Sequence, residues 1–219
     1  MARVLVLRPE PGASATVERA RQLCLDAVAA PLFEIEPVAW DAPELAGFDG
    51  LLITSANAVR QAGEGLQALR GLEAYAVGEA TAEAAREAGF DVAATGDAGV
   101  ERLLASIEPD LRLLHLAGAD RKECADARQE LVPLATYRSV PTDKPNLPRA
   151  DVALIHSPRA GTRLAELTQE RSVLTLVAVS EAAGAAAGSG WRAVHIAEAP
   201  TDDALLALAA RLCNTPAPQ

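Results

Sequence analysis

Short apolar runs alternate with longer Ala-rich stretches along the whole chain. The runs predict β-strands and the Ala-rich stretches predict helices, in the alternating order typical of a parallel sheet covered by helices. We predict strands over 3–7, 50–54, 73–77, 91–94, 111–116, 152–156, 174–179 and 193–196. We predict helices over 14–29, 56–69, 79–88, 99–107, 120–131, 159–169, 181–188 and 201–212. The pattern therefore favours an α/β fold.

Motifs in the first half of the chain recur in the second half at a nearly constant spacing. The segment that starts at Asp49 matches the one that starts at Asp151, which is 102 residues further on. The motif at 76–80 matches 178–182 at the same spacing, and the first apolar run, from Arg3, resembles the run from Arg112. Constant spacing between matched motifs indicates a duplicated structural unit.

The matched motifs predict two similar doubly wound parallel-sheet domains of the flavodoxin-like kind. Domain A comprises 1–30 plus 142–219 and is discontinuous, and domain B comprises 41–131. Segments 31–40 and 132–141 connect them, and their strand-like residues predict a two-stranded connector that acts as a hinge. We expect the domains to face each other across a ligand cleft. The alternative is a single doubly wound sheet in which β-α patterns simply recur.

Composition narrows the class of partner. The net charge of −10 argues against nucleic acid, because neutralising phosphates requires a basic surface. No apolar run reaches the roughly 18 residues of a membrane span. The three cysteines have no pairing or metal-ligand spacing, which indicates a reducing cytoplasm. A hinge that must open favours a monomer.

Small polar residues follow the predicted strands at the helix junctions, whereas the glycine-rich nucleotide fingerprints are missing. Their ordinary role would be to cap the next helix. In an open α/β sheet, however, these junctions also line the crevice where ligands bind, and helix N-termini attract carboxylates. The candidate substrate-binding residues at these junctions are Thr54, Ser55, Asn57, Gly78, Thr81, Ser157 and Ser180.

Three further side chains are candidates near the junctions or on the connector. Arg138 and Arg159 could supply positive charge for an anionic ligand, although the more common role of such an arginine is a solvated surface charge. Tyr137 lies on the predicted connector. Its ring could pack against a facing strand, or its hydroxyl could act as a hydrogen-bond donor or weak acid.

The ordered set of motifs resembles the uroporphyrinogen-III synthase family, over essentially the whole chain. The motifs are Leu-Ile-Thr-Ser-Ala-Asn-Ala-Val at 52–59, Tyr-Ala-Val-Gly-Glu-Ala-Thr at 75–81, Ala-Gly-Phe at 88–90, Thr-Tyr-Arg at 136–138 and Ile-His-Ser-Pro-Arg-Ala at 155–160. The resemblance implies a two-domain fold with a flexible connector. It implies a linear tetrapyrrole substrate, hydroxymethylbilane, which is cyclised with inversion of ring D and loss of water through a spiro intermediate, without a cofactor or metal.

The resemblance also implies roles for individual residues. Tyr137 matches the family's connector tyrosine, the best candidate for assisting departure of the hydroxyl. Thr81, Ser55 and Ser157 match family positions at the junctions. Where many relatives have Gly-x-Thr-Thr in domain A, this chain has Ser180-Glu181-Ala182-Ala183, so Ser180 or backbone N–H groups would have to substitute.

Two other functional classes stay open at this point. A two-lobed cytoplasmic protein could close over a small anionic ligand without catalysis, and the layout alone does not exclude it. A nucleotide-dependent α/β enzyme is the third possibility, but it lacks the expected glycine fingerprint.

Overall fold

A computed structural model describes residues 2–96, 99–121 and 123–214. The chain divides into two compact units. Within the described residues, unit 1 runs up to Glu34 and resumes at Pro141, and unit 2 is Ile35–Val140. No helix in these described ranges combines the length and the apolar character that a membrane crossing requires.

Unit 1 is built on a five-stranded parallel sheet in the order β11-β10-β9-β1-β2. Its strands are β1 (Arg3–Val6), β2 (Asp26–Ala29), β9 (Val152–Ile155), β10 (Thr175–Ala178) and β11 (Ala193–Ile196). Its helices are α1 (Gly12–Gln22), α5 (Pro158–Leu167), α6 (Glu181–Ala186) and α7 (Asp202–Asn214), with a 3-10 turn at Arg171–Val173. Taken in chain order, the strands follow the 2-1-3-4-5 arrangement of flavodoxin-like folds, as predicted.

Both faces of the three central strands, β1, β9 and β10, are buried, which explains why these strands are nearly continuous apolar runs. Successive side chains point to opposite faces. Leu5 and Ile155 lie in the core that α5 and α6 cover, whereas Val4 and Leu154 lie in the core that α1 and α7 cover. The predicted Ala- and Leu-rich packing is therefore found on both faces.

Unit 2 is built on a six-stranded sheet in the order β3-β8-β7-β4-β5-β6. Its strands are β3 (Phe33–Pro37), β4 (Gly50–Ile53), β5 (Ala74–Val77), β6 (Val92–Gly96), β7 (Arg112–Gly118) and β8 (Glu130–Pro141). Its helices are α2 (Ala56–Arg60), α3 (Glu79–Glu87) and α4 (Val100–Ser106), with a 3-10 segment at Glu64–Leu69. Strands β8 to β6 are parallel, in the chain order 5-4-1-2-3. This arrangement matches unit 1 when β7 and β8 are equated with β1 and β2.

In each unit the same pair of hydrogen bonds joins two neighbouring strands at their amino ends. In unit 2 the Arg112 amide donates to the Asp49 carboxylate at 2.7 Å, and the Asp49 amide donates to the Arg112 carbonyl at 2.9 Å. In unit 1 Arg3 and Asp151 form the same two bonds at 2.9 and 3.0 Å. The motif spacing seen in the sequence therefore reflects a shared backbone arrangement.

Three predicted helices are wrong in part or entirely. The first ends at Gln22, because Cys24 adopts a left-handed backbone conformation and Asp26–Ala29 then forms β2. The second is interrupted after Arg60 and continues only as the 3-10 segment. The helix predicted over 120–131 is absent from its described residues, which form turns before β8 begins at Glu130.

The connector segments belong to the sheet of unit 2 over much of their length. β8 pairs in parallel with β7 from Glu130 onward, and β3 pairs with β8 on the other side. β3 and β8 are antiparallel, because Val38 donates to the Thr136 carbonyl and Thr142 donates to the Leu32 carbonyl. The two-stranded connector thus forms one edge of the unit 2 sheet.

Candidate functional site

In each unit the strand order reverses at one place, and ligands of open α/β sheets bind beside the carboxyl ends of the strands at such a switch point. In unit 2 the reversal lies between β7 and β4. We call the residues at the carboxyl ends of these two strands, with the adjoining part of β8, the unit 2 junction. The corresponding unit 1 junction lies at the carboxyl ends of β1 and β9.

The three predicted serines all cap helices. Ser55 Oγ accepts the Asn57 amide at 3.2 Å, Ser157 Oγ accepts the Ala160 amide at 3.2 Å, and Ser180 Oγ accepts the Ala183 amide at 3.3 Å. Asn57 takes part through its backbone. A capping hydroxyl accepts one hydrogen bond and keeps its own proton, so it can still donate to a carboxylate. The capping role and a binding role are therefore compatible.

Gly78 and Thr81 lie in the first turn of α3. Gly78 is the N-cap residue with a φ of 84°, a left-handed conformation that favours glycine, and a side chain there would meet nothing within 4 Å. Thr81 is buried in the structure. The open space beside Gly78 makes the backbone of this turn more accessible than the Thr81 side chain.

Thr54 and His115 form a polar pair in the unit 2 junction that the sequence did not predict. Thr54 Oγ1 and His115 Nε2 lie 3.0 Å apart, and His115 is almost fully buried on β7. Burial, and secondarily the charge of Arg121, lowers the pKa of His115 to about 4. The imidazole is thus neutral near pH 7 and serves Thr54 as a hydrogen-bond partner.

We expect His115 to make the protein less stable in mild acid. Its pKa is about 4 in the folded state and about 6.5 in an unfolded chain, so only the unfolded chain gains this proton between those values. Stability should therefore fall by up to about 3 kcal/mol as the pH drops from 6.5 to 4. Urea midpoints measured at several pH values for the parent, His115→Gln and, as control, His195→Gln check this. Only His115→Gln should flatten the pH dependence, and equal slopes in all three would contradict the prediction.

Tyr137 lies half-buried on β8 in the unit 2 junction. Its ring packs against the core beneath α2 and α3 and covers Gly118 at the end of β7. The ring therefore has the predicted packing role. The position of Tyr137 at the carboxyl end of the sheet is also compatible with a role for its hydroxyl in the ligand site.

The two predicted arginines have different surroundings. The Arg138 guanidinium donates twice to the Glu36 carboxylate, at 3.0 and 2.7 Å, which offsets its charge. The Arg159 guanidinium lies over the Phe33 ring, with its carbon 4.8 Å from the ring centroid, near the start of α5. Arg159 is exposed.

A buried polar cluster occupies the unit 1 junction, and the sequence did not predict it. Asp202, at the start of α7, accepts hydrogen bonds from His156 Nε2 at 2.7 Å and from Thr16 Oγ1 at 2.8 Å, and it pairs with Arg19. Arg8 lies 3.7 Å from the same carboxylate. The Asp202 side chain is 10% exposed.

The cluster governs the ionisation of Asp202. Burial by itself would raise the pKa of this carboxyl, but the hydrogen bonds and charges of His156, Thr16 and Arg19 outweigh burial and lower it. Asp202 is therefore ionised near pH 7 and joins α7, α1 and the end of β9. In residues 2–96, 99–121 and 123–214 no group of three or more His, Cys, Asp or Glu side chains is arranged to hold a metal ion.

Comparison with known proteins identifies the family. The family model described as uroporphyrinogen-III synthase HemD matches residues 14–207, which is most of the chain. The chain belongs to the uroporphyrinogen-III synthase family. The match includes every predicted site residue.

Individual relatives agree with this assignment. A uroporphyrinogen-III synthase of Chlorobaculum parvum is 33% identical over 119 residues, which are 50% of this chain and 48% of that protein, so the alignment spans about half of the relative. The crystal structure of uroporphyrinogen-III synthetase from Helicobacter pylori matches with a TM-score of 0.65 at 16% identity, over 97% of this chain and 100% of that one. A mutant synthase from Thermus thermophilus matches with a TM-score of 0.57 at 20% identity, over 98% and 100%. The structural matches confirm the α/β fold with parallel sheets.

Proposed function

We propose that this chain is a uroporphyrinogen-III synthase, which closes hydroxymethylbilane with inversion of ring D and loss of water. The observation that carries the proposal is the family match over residues 14–207. The polar groups at the two junctions, where this fold binds ligands, support it.

The chemistry demands orientation more than reactive side chains. Protonation and loss of the hydroxymethyl oxygen as water leave an azafulvene cation, and the substituted carbon of ring D attacks it. The resulting spiro intermediate fragments and recloses with ring D inverted. An unassisted bilane should close without inversion, so the enzyme must hold the chain in the folded shape that favours the spiro route. We propose Tyr137 as the acid that assists departure of the hydroxyl.

The substrate's carboxylates require hydrogen-bond donors. We propose that the capping hydroxyls of Ser55, Ser157 and Ser180 and the first-turn amides beside Gly78 supply them. Each serine retains its hydroxyl proton while it accepts a backbone amide. Binding by such groups needs no basic surface, in keeping with the net charge of −10. A ligand cleft with contributions from both units stays a prediction.

One assay tests the proposed function. The purified chain is supplied with hydroxymethylbilane, the products are oxidised, and the porphyrin isomers are separated. We expect the inverted type III isomer well above the level formed without protein. Only the uninverted type I isomer, at the background rate, would contradict the proposal. Substrate binding without turnover would instead support a binding protein.

We predict that Arg159→Ala weakens substrate binding more than Arg138→Ala does. Arg159 lies in the first turn of α5, next to the proposed binding residue Ser157, whereas Arg138 lies on β8 and pairs with Glu36. A lost attraction of about 1 kcal/mol would raise KM roughly threefold to tenfold for Arg159→Ala. The control is Arg21→Ala, in the last turn of α1 and away from the carboxyl ends of the strands. Equal KM values in all variants would leave carboxylate binding to the hydroxyls and amides.

We further propose that the protein acts as a monomer in the cytoplasm. None of its three cysteines, all within the described ranges, forms a disulfide, which fits a reducing compartment. Light scattering coupled to gel filtration should give a mass near 22.8 kDa. A mass of twice that value would contradict the monomer.

A further inference from the structure

Tyr137 is held by an irregularity in β8. Along the β7–β8 pair, Ala117 is opposite Ala135 but Gly118 is opposite Tyr137, so Thr136 is one extra residue in β8. An inserted residue of this kind bends the strand and re-aims the neighbouring side chain, and such bulges occur beside active sites. Here the insertion places Tyr137 opposite the end of β7.

The extra residue, Thr136, is fixed on both sides. Its side chain is fully buried, and its hydroxyl donates to the Ala58 carbonyl of α2 at 2.7 Å. Its own carbonyl accepts the Val38 amide at 2.9 Å. The next residue is held too, because the Tyr137 carbonyl accepts the Ala119 amide at 2.8 Å. The backbone around Tyr137 therefore has little freedom to shift.

The space for the phenol depends on a glycine. A methyl carbon built on Gly118 would lie 2.7 Å from Tyr137 Cζ and 3.0 Å from its hydroxyl oxygen. Those distances are far shorter than van der Waals contact, so the ring would have to move. Gly118 is not among the glycines with positive φ, and the requirement for glycine there comes from the ring above it.

We propose that Gly118 and Thr136 are positioning residues, which hold the Tyr137 hydroxyl at the carboxyl end of the unit 2 sheet for the cyclisation. This inference rests on the proposed function and on Tyr137 as its acid. The absence of a side chain at Gly118 lets the Tyr137 ring pack closely against β7. The extra residue, Thr136, determines the direction in which the Tyr137 side chain leaves β8. A displaced hydroxyl would lose its alignment with the departing oxygen, and small misplacements are costly in orientation-dependent catalysis.

The test combines a structural and a kinetic measurement. Fluorotyrosine is incorporated in a Tyr75→Phe background, so that residue 137 gives the single fluorine resonance, because the chain has two tyrosines. We expect Gly118→Ala to move this resonance and to lower kcat roughly fivefold to twentyfold with little change in KM. Gly71→Ala is the matched control, because its added carbon would lie 4.0 Å from the nearest side chain. It should change neither measurement.

A second pair of variants guards against misfolding of Gly118→Ala. Thr136→Val should reproduce the loss of kcat and the moved resonance, and Thr136→Ser, which keeps the hydroxyl, should restore both. An unmoved resonance with unchanged kcat in Gly118→Ala would overturn the inference. So would a moved resonance with unchanged kcat. A parent without any activity would overturn the proposed function, while the resonance would still decide whether Gly118 places the ring.

Discussion

Tyr137→Phe should lower turnover by roughly tenfold to a hundredfold, the lower range for assistance by a general acid. The substitution removes only the hydroxyl. The phenyl ring would keep its packing against the core and its place over Gly118, so the fold should be retained. The loss should appear in kcat, because the proton is transferred as the hydroxyl departs and not on binding.

The chain offers a matched control in its other tyrosine. Tyr75 is half-buried on β5, beside Gly50, and lies outside the unit 2 junction. Tyr75→Phe should leave kcat and the proportion of type III product unchanged. Unchanged turnover in Tyr137→Phe would return Tyr137 to a packing role and leave the acid unidentified. A higher proportion of type I product would show that the hydroxyl also helps to hold the folded bilane.

The strands could be predicted because each is a short apolar run between polar junctions. β4 and β9, for example, are fully buried over four residues each, so every position must be apolar. The duplicated spacing was informative for a physical reason. Asp49 and Asp151 each form the same two hydrogen bonds to the backbone of an arginine in the neighbouring strand. The same residue type is therefore required at both positions.

The wrong helices have equally specific causes. Segment 120–131 was predicted to be a helix, but it lacks the apolar side chain that Val17 supplies to the buried face of α1. Without such a stripe a helix cannot bury one side on the sheet. β2 was missed because four residues of Asp-Ala-Val-Ala fit a helix or a strand equally well, and Cys24 gave no turn signal.

The location of the candidate site could be predicted from the sequence, but the side chains that interact with each other there could not. Thr54 and Ser157 follow from the rule that ligands bind at strand ends. Their neighbours do not, because His115 is 61 residues from Thr54, and Asp202 is 186 residues from Thr16. Only the tertiary fold brings such partners together. One signal was available, since His156 stands where the repeat has Thr54, and a different residue at a matched junction indicates a different partner.

Asp202→Asn should lower the free energy of unfolding of unit 1 by about 3 kcal/mol at pH 7, which is more than a hundredfold in the folded-to-unfolded ratio. The carboxylate is 10% exposed and accepts from His156, Thr16 and Arg19. An amide would weaken the hydrogen bonds that the buried carboxylate accepts from Thr16 and His156, and it would leave the partly exposed Arg8 and Arg19 without their counter-charge. Urea unfolding followed by Trp191 fluorescence, in a Trp40→Phe background, reports on unit 1.

The pH dependence distinguishes a charge effect from a packing defect. The hydrogen bonds and charges around Asp202 hold its pKa below that of an unfolded aspartate, so its contribution is complete above about pH 4. It is lost as the pH falls through the lower, folded pKa, because the carboxylate is then protonated in both states. The parent and Asp202→Asn should therefore differ most near neutral pH and converge in acid. A packing defect would leave the same difference at every pH.

Asp203→Asn is the control, because Asp203 also pairs with Arg19, at 3.1 Å, but its side chain is 85% exposed. Solvent screens an exposed pair of this kind, so its removal should change stability little. If the Asp202 and Asp203 variants unfolded at the same urea concentration, the buried cluster would contribute no more than a surface ion pair. A large loss confined to Asp202→Asn would instead show that the start of α7 is fastened to α1 and β9 by a buried charge. The unit 1 junction would then be built on a rigid base, as the proposed binding of substrate by Ser157, beside His156, requires.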